Sequence, residues 1–87
     1  MRPHGTIRYW AAAKAAAGRA EETFAAKTLD DLLEQVRRKY EGNAALLGVL
    51  KRSSFLVNST PVGARPHGEI VLEPGWTVEV LPPFAGG

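Results

Sequence analysis

The sequence predicts a small α+β domain in which a mixed sheet of four to five strands packs on one main helix. Alternating segments stand near the two ends of the chain, at residues 6–10 and 77–81, and such alternation is typical of half-buried strands. Between them, residues 28–40 carry apolar side chains at every third or fourth position, which is typical of an amphipathic helix. With one such helix available, it must cover one face of the sheet.

The first quarter of the chain predicts a strand, a short helix and a returning strand. Residues 6–10 alternate β-branched or aromatic residues with a charge and form the first strand. The alanine-rich run 11–17 predicts a short helix or helical turn that Gly18 ends, because glycine fits the left-handed conformation after a helix. A low-complexity linker is the weaker alternative, since linkers favour Gly, Ser and Pro. Residues 20–26 are a weaker strand candidate that pairs back on the first.

The main helix has a start signal, an apolar face and an end signal. Thr28 and Asp31 have the spacing of a capping box, in which both side chains satisfy free amides of the first turn. The basic run 37–39 is interpreted as a solvated helix end rather than a phosphate-binding patch, because cations favour the negative end of the helix dipole. Gly42 follows the helix. The apolar face comprises Leu29, Leu32, Leu33, Val36 and Tyr40.

The second half of the chain predicts two or three more strands. In order, it contains a second short helical turn at 43–50, a buried strand at 55–57, turn residues at 58–61, a loop at 62–68, a further strand or turn at 69–72, and the last strand at 77–81. We expect the first and last strands to lie side by side in the centre of the sheet.

Length and composition limit the protein classes that fit the chain. Its 87 residues leave room for one domain, placed at 1–81, followed by a flexible Gly-Gly tail at 82–87. Eleven basic and nine acidic residues are spread along the chain and give a net charge of +2, so nothing indicates a nucleic-acid partner. The absence of cysteine excludes disulfides and cysteine nucleophiles. No apolar stretch approaches the ~20 residues of a membrane span, and we expect a cytoplasmic protein with no membrane partner.

No residue pattern within the domain indicates catalysis or metal binding. His4 and His67 each stand beside proline and glycine without an acid at ligand spacing, so no metal site is expected. Ser53-Ser54 lacks the glycine context of a nucleophile elbow. Trp10 and Trp76 are predicted to pack in the core or at its rim rather than to anchor a ligand, because large aromatics in small domains mostly serve packing.

The chain ends Leu-Pro-Pro-Phe-Ala-Gly-Gly, and this ending carries the functional prediction. Pro82 and Pro83 lack amide hydrogens and favour extended backbone before them, so they end the strand and begin a stiff arm. The seven residues span up to roughly 25 Å when extended, enough to enter a deep active site. Gly86 and Gly87 pass a constriction that a Cβ would block and leave the terminal carbonyl open to attack. A frayed terminus would explain the glycines but not the Pro-Pro spacer followed by the apolar Phe84.

Four segments resemble the MoaD and ThiS sulfur-carrier proteins, and the MoaD-like branch is the nearer match. The resemblance covers essentially the whole chain, and the ending is its most specific part. It implies a ubiquitin-like β-grasp fold, in agreement with the element order predicted from the residues. The segments are Leu-Pro-Pro-x-Ala-Gly-Gly at 81–87, Val57-Asn58, Pro74-Gly75-x-Thr77-Val78 and Tyr9-Trp10-Ala11-Ala12.

The resemblance also implies a function for the C-terminus. An adenylating enzyme of the ubiquitin-activating type, MoeB- or ThiF-like, would use ATP to adenylate the carboxylate of Gly87. The carboxylate would then become a thiocarboxylate that donates sulfur. The MoaD-like ending implies that the acceptor is molybdopterin, within a synthase formed with a larger subunit. The carrier itself would bind no cofactor.

Other uses of the same terminus stay open at this point. The sulfur could go to cysteine, thiamin, transfer RNA or a secondary metabolite. Gly87 could instead be joined to lysines of other proteins, as in a ubiquitin-like modifier. In a plain interaction module, the tail would have no role.

The partner-binding surface is predicted around the last strand and the tail. We expect an exposed apolar patch that includes Phe55 and Phe84, since partner sites usually centre on such anchors. Pro82, Pro83 and Ala85 are expected to contact the partner as part of the arm. Two residue types that are unusual for the family, Ser59 and Trp76, are also expected on or near surfaces that partners contact.

Overall fold

The computed structural model describes residues 1–83, which form a mixed five-stranded sheet with three helices. The order across the sheet is β2-β1-β5-β3-β4. No helix of these residues is long and apolar enough to cross a bilayer. The strands are β1 (His4–Tyr9), β2 (Glu21–Ala25), β3 (Ser54–Val57), β4 (Thr60–Pro61) and β5 (Trp76–Leu81). The helices are α1 (Ala11–Ala17), α2 (Leu29–Lys39) and α3 (Ala44–Arg52), with a 3-10 turn at His67–Glu69.

The first and last strands lie side by side in the centre of the sheet, as predicted. β1 and β5 run parallel, with Ile7 beside Val78, and antiparallel neighbours flank them on both sides. One face of β5 is buried against the helices, while its other residues alternate toward the opposite, open face of the sheet. Since β5 has a partner on each side, the end of the chain leaves the domain from the middle of the sheet.

The main helix, α2, packs its apolar face into the core. Its buried side chains are Leu29, Leu32, Leu33 and Val36. The hydroxyl of Thr28 accepts a hydrogen bond from the amide of Asp31 at 3.1 Å, as the predicted cap requires. The Asp31 carboxylate accepts from the amide of Lys27 at 3.0 Å. Lys27 precedes the cap residue Thr28, so this amide is not one of the free amides of the first turn. The cap therefore fixes the start of the helix together with the chain that leads into it.

The predicted short turn at residues 43–50 is the nine-residue helix α3. Asn43 caps it, because its side-chain oxygen accepts from the amide of Leu46 at 3.0 Å. The side-chain nitrogen of Asn43 donates to the carbonyl of Ala16 at 2.9 Å and so ties α3 to the end of α1. The helical layer thus contains α1 and α3 beside the main helix that was predicted.

The predicted turn at residues 58–61 contains the short strand β4, which brings the sheet to five strands. Asn58 and Ser59 both adopt positive φ, which is the geometry of a two-residue hairpin turn. This turn pairs Val57 with Thr60 and so creates β4. Residues 69–72 were predicted to be a strand or a turn and are neither: Glu69 ends the 3-10 turn, and Val71 forms an isolated antiparallel bridge with Thr28.

Trp76 is a core residue, and its side chain does not lie on the surface of the domain. Its side chain is 1% exposed, and the indole nitrogen donates to the carbonyl of Pro3 at 3.0 Å. A Cβ on Gly5, the neighbour of Trp76 across the sheet, would lie 2.1 Å from the indole. The tryptophan is buried because glycine at position 5 leaves room for its ring. The core prediction for Trp76 is confirmed. Its side chain is not exposed to a partner, and its expected place near a partner-binding surface stays a prediction.

Candidate functional site

The tail leaves the sheet between the start of α1 and the end of α3. On one side, the amide of Trp10 donates to the carbonyl of Val80 at 3.3 Å. On the other side, Leu81 pairs with Ser54, the first residue of β3. The half-buried Pro82 and the exposed Pro83 follow, and the strand ladder stops there because proline has no amide hydrogen to donate.

The predicted reactive residues, Gly86 and Gly87, lie outside the described residues. The same is true of Phe84 and Ala85, two of the predicted partner contacts. Their roles stay predictions. The structure bears on the surface from which this tail departs.

An apolar patch lies on the open face of the sheet beside the point where the tail departs. Leu56 stands between Glu79 of β5 and Pro61 of β4 in the strand pairing, so it shares their outward orientation. Leu81 lies two residues beyond Glu79 on the same face. Trp10 continues the outward alternation of β1 and is 39% exposed. We call Trp10, Leu56, Pro61 and Leu81 the exit patch.

Trp10 is held in position by two polar neighbours on the same face. Its indole nitrogen donates to the carboxylate of Glu79 at 3.1 Å. The guanidinium of Arg8 lies 5.0 Å from the centre of the indole ring, within the range of a cation–π contact. Arg8 also forms an ion pair with Glu21 at 3.6 Å. These contacts orient an exposed aromatic ring at the base of the tail, where a partner would meet it.

Phe55 faces the helices and not the open face, so the expected exposed patch is wrong at this residue. Phe55 is 7% exposed and pairs with the buried Val80, and its ring packs edge-on against His67 with ring centres 5.4 Å apart. Successive strand residues point to opposite faces, and Leu56 is therefore the outward residue of this pair. The role of Phe55 in partner binding stays a prediction.

Sequence reasoning missed Leu56, Pro61 and Leu81 as members of a surface. The apolar run 55–57 predicts a buried strand, although alternation in a strand with one covered face requires one of Phe55 and Leu56 to point outward. That alternation was the available signal. Which of the two faces the core depends on the register with β5, and the sequence of β3 does not determine it.

Within residues 1–83, neither histidine belongs to a cluster that could bind a metal ion. Among residues 1–83, no group of three His, Asp or Glu side chains is placed to hold a metal ion. His67 packs on Phe55, while His4 lies in β1, and the carbonyl of His4 accepts from the amide of Gly75 at 2.8 Å.

Comparison with known proteins gives the family and the fold. The profile of the ThiS family matches residues 7–87. The chain is similar to the solution structure of small archaeal modifier protein 1 from Methanosarcina acetivorans, with a TM-score of 0.83 and 21% identity over 100% of this chain and 99% of that one. No curated protein matches the chain.

Two similar structures are molybdopterin converting factors. One is a chain from the complex of subunits 1 and 2 of the Helicobacter pylori factor, with a TM-score of 0.67 and 21% identity over 97% of this chain and 99% of that one. The other is a putative subunit 1 from Pyrococcus furiosus, with a TM-score of 0.73 and 21% identity over 94% and 99%. The predicted ubiquitin-like β-grasp fold is confirmed. Since the family profile covers nearly the whole chain, this chain belongs to the ThiS family, within the MoaD- and ThiS-like sulfur carriers that its sequence resembles.

Proposed function

We propose that this chain carries sulfur as a thiocarboxylate on Gly87 and donates it to molybdopterin as the small subunit of a molybdopterin synthase. The observation that carries the proposal is the exit of the central strand β5 into Pro82-Pro83, beside the exit patch. Pairing on both sides holds the base of the tail in place. The patch offers a partner an apolar surface to bind while the tail enters its active site.

The chemistry begins with activation of the carboxylate of Gly87, which resists attack because resonance stabilises the anion. A MoeB- or ThiF-like enzyme catalyses attack of a carboxylate oxygen on the α-phosphorus of ATP, and pyrophosphate leaves. The acyl adenylate has a good leaving group and a more electrophilic carbonyl. The sulfur of the hydrosulfide anion, HS⁻, then attacks this carbonyl, AMP leaves with the electrons of the C–O bond, and loss of the S–H proton gives the thiocarboxylate. The activating enzyme supplies the ATP site and the metal ion.

The proposed acceptor complex includes a larger subunit that binds the exit patch and receives the tail. The similar Helicobacter pylori chain comes from a complex of subunits 1 and 2 of a molybdopterin-converting factor, which supports a partner of this kind. Because ATP and the activating enzyme must be available to the carrier, we place the reaction in the cytoplasm.

The acceptor is tested by reconstitution with a molybdopterin synthase large subunit and the precursor of molybdopterin. The thiocarboxylate form of the chain should support dithiolene formation. A variant lacking Gly86 and Gly87 should keep its circular dichroism spectrum and form no dithiolene. A large subunit that accepts sulfur from another carrier but not from this one would redirect the proposal to another acceptor, such as cysteine, thiamin, transfer RNA or a secondary metabolite.

A second candidate function is that of a ubiquitin-like modifier. The full-length likeness to an archaeal modifier protein favours testing it, and the acyl adenylate is a suitable intermediate for both uses. In this case a lysine amine, and not sulfide, would capture the acyl group after activation. Isopeptide-linked remnants of the C-terminal segment of this chain in a digest of expressing cells would support conjugation, and their absence beside abundant thiocarboxylate would argue against it.

A further inference from the structure

The helical side of the molecule contains a groove that the proposed function does not use. It lies between α2 and α3, with a volume of about 650 Å³, which is within the ~300–1,000 Å³ typical of binding sites. Leu33 of α2 and Leu47 and Leu50 of α3 line it, and Phe55 of β3 contributes to its floor. We call it the α2–α3 groove.

Gly48 keeps the α3 wall of the groove low. Glycine inside a helix is less favourable than alanine by roughly 0.5–1 kcal/mol. A Cβ at position 48 would meet no atom of the described chain within 4 Å, so packing within residues 1–83 does not require the glycine. Ala44, one turn earlier, also lines the groove. The two small residues leave space for side chains that come from outside the domain.

The groove is basic at its rim. Arg37 of α2, Lys51 of α3 and His67 line it, and no carboxylate does among the described residues. Arg37 pairs with Glu34 at 3.3 Å, but both side chains are about half exposed, at 48% and 51%. A pair that exposed contributes little to stability, so Arg37 can exchange it for another carboxylate at small cost.

We propose that the α2–α3 groove binds an acidic amphipathic helix of a partner protein. Apolar side chains spaced by three or four residues would fill the groove against Leu47 and Phe55. Carboxylates on the flanks of the helix would face Arg37 and Lys51. The nine residues of α3 extend over about 13 Å, which provides contact for between two and three helical turns.

A helix in this groove would leave the exit patch free, because the two surfaces lie on opposite sides of the sheet. One end of the groove is nevertheless close to the tail. Ser53 lines the groove and precedes Ser54, which pairs with Leu81. A partner helix bound in the groove could therefore hold this chain in place while an enzyme acts on the chain's C-terminal tail. This use rests on the proposed function, whereas the binding itself does not.

The test uses a fluorescein-labelled helical peptide of about 14 residues, with leucines at helical spacing and glutamates on the flanks. Fluorescence anisotropy measures its affinity, and amide shifts in ¹⁵N–¹H spectra of the full chain locate it. We expect shifts in α2 and α3, and no binding of the same peptide with lysine in place of glutamate. Lys51→Glu should weaken binding about tenfold or more, because it places like charges together.

Gly48→Leu should also weaken binding about tenfold or more, because its side chain would occupy the groove, while its Cβ would meet no atom of the described chain within 4 Å. Ala15→Leu places the same side chain on an exposed position of α1 and should leave affinity within about twofold. If Gly48→Leu fails to fold by circular dichroism, Lys51→Glu still decides the result. A chain without Gly86 and Gly87 should bind the peptide unchanged.

Three outcomes would overturn the proposal: no binding at roughly millimolar peptide, equal affinity for the acidic and basic peptides, or amide shifts confined to the exit patch. Sulfur loading of Gly87 is measured separately by intact mass. A failed peptide titration with successful loading therefore rejects the groove alone, and failed loading with groove binding rejects the carrier function alone.

Discussion

Tyr9 and Trp10 are adjacent in the chain and point to opposite faces of the sheet. The hydroxyl of Tyr9 donates to Glu22 at 2.7 Å on the helical side, where Tyr9 is 1% exposed. The indole of Trp10 donates to Glu79 at 3.1 Å on the open side, where Trp10 is 39% exposed. The same pairing of an aromatic donor with a carboxylate is therefore buried in the core on one face and orients an exposed indole ring on the other.

The buried pair belongs to a larger cluster around Glu22. Its carboxylate also accepts from the hydroxyl of Tyr40 at 2.6 Å, from the ammonium of Lys39, and from Arg19 at 3.4 Å. Burial alone would raise the pKa of Glu22, but the hydrogen bonds from Lys39, Tyr40 and Tyr9 outweigh it, and the pKa lies below its ordinary value. We call these five residues the Glu22 cluster. It joins β1, β2 and the end of α2.

The largest expected effect is that of removing the centre of the Glu22 cluster. Glu22→Ala should lower the free energy of unfolding by about 2–4 kcal/mol, because it leaves the Tyr9 hydroxyl without its acceptor and Lys39 without its counter-ion. Urea denaturation measures the change. Glu79→Ala is the matched control on the open face and should cost less than about 1 kcal/mol. Equal losses in the two variants would contradict the contrast between the faces.

Removing a single donor from the cluster should have a smaller effect. Tyr9→Phe keeps the ring in the core but removes the hydroxyl, and we expect a loss of about 1–2 kcal/mol in the free energy of unfolding. The rate of adenylation by an activating enzyme should stay unchanged, because Tyr9 does not reach the open face. An unchanged free energy of unfolding in this variant would show that the hydrogen bond from Tyr9 to Glu22 contributes no net stability.

Alkaline titration should report on the cluster directly, since Tyr9 and Tyr40 are the two tyrosines of the chain. Burial and the hydrogen bond to Glu22 raise the pKa of Tyr40 to about 12, and burial with the same acceptor raises the pKa of Tyr9 further. These groups bind protons more tightly in the folded state, so their contribution to stability is complete below about pH 10 and is lost as the pH rises through the folded pKa. Phenolate absorbance after a pH jump measures the ionisation of the two tyrosine hydroxyls.

Tyr40→Phe is the control for the titration and should remove the ionisation near pH 12. Unfolding in urea should return the pKa of both tyrosines to about 10. A folded chain that already forms phenolate near pH 10 would show that the hydroxyls are not held as described.

The smallest expected effect on stability is that of Trp10→Ala. Exposed cation–π contacts contribute about 0.5–1 kcal/mol, so the free energy of unfolding should fall by about 1 kcal/mol or less. The kcat/KM for adenylation should nevertheless fall about tenfold, because exposed tryptophans often anchor a partner. Steady-state kinetics with a cognate activating enzyme measures it. Unchanged kinetics would remove Trp10 from the recognition surface.

The parts of the fold that sequence predicted are those that local contacts determine. The cap of Thr28 and the periodicity of residues 29–36 define α2 within one segment. The link between α3 and α1 was not predictable in this way, because the side chain of Asn43 donates to the carbonyl of Ala16, 27 residues earlier in the chain. β4 was missed because its turn requires positive φ at Ser59, a conformation that serine rarely adopts.

In the candidate site too, sequence predicts the features that depend on neighbouring residues and not those that depend on distant ones. Pro82, Pro83 and the terminal glycines have chemistry that can be interpreted from their neighbours alone. The burial of Trp76 depends on the missing side chain of Gly5 across the sheet, and the orientation of Phe55 depends on the register with β5. Nothing in the sequence near Glu22 marks it as buried, because Tyr9, Lys39 and Tyr40 reach it from β1 and from the end of α2.

The central claim is that Gly87 accepts sulfur through an adenylate, and intact mass spectrometry tests it most directly. The chain is incubated with ATP, a cognate activating enzyme and sulfide, beside a variant that lacks Gly86 and Gly87. We predict a mass increase equal to the exchange of one oxygen for sulfur, confined to the full-length chain. No increase with an enzyme that is active on another carrier, or an equal increase in both chains, would contradict the claim.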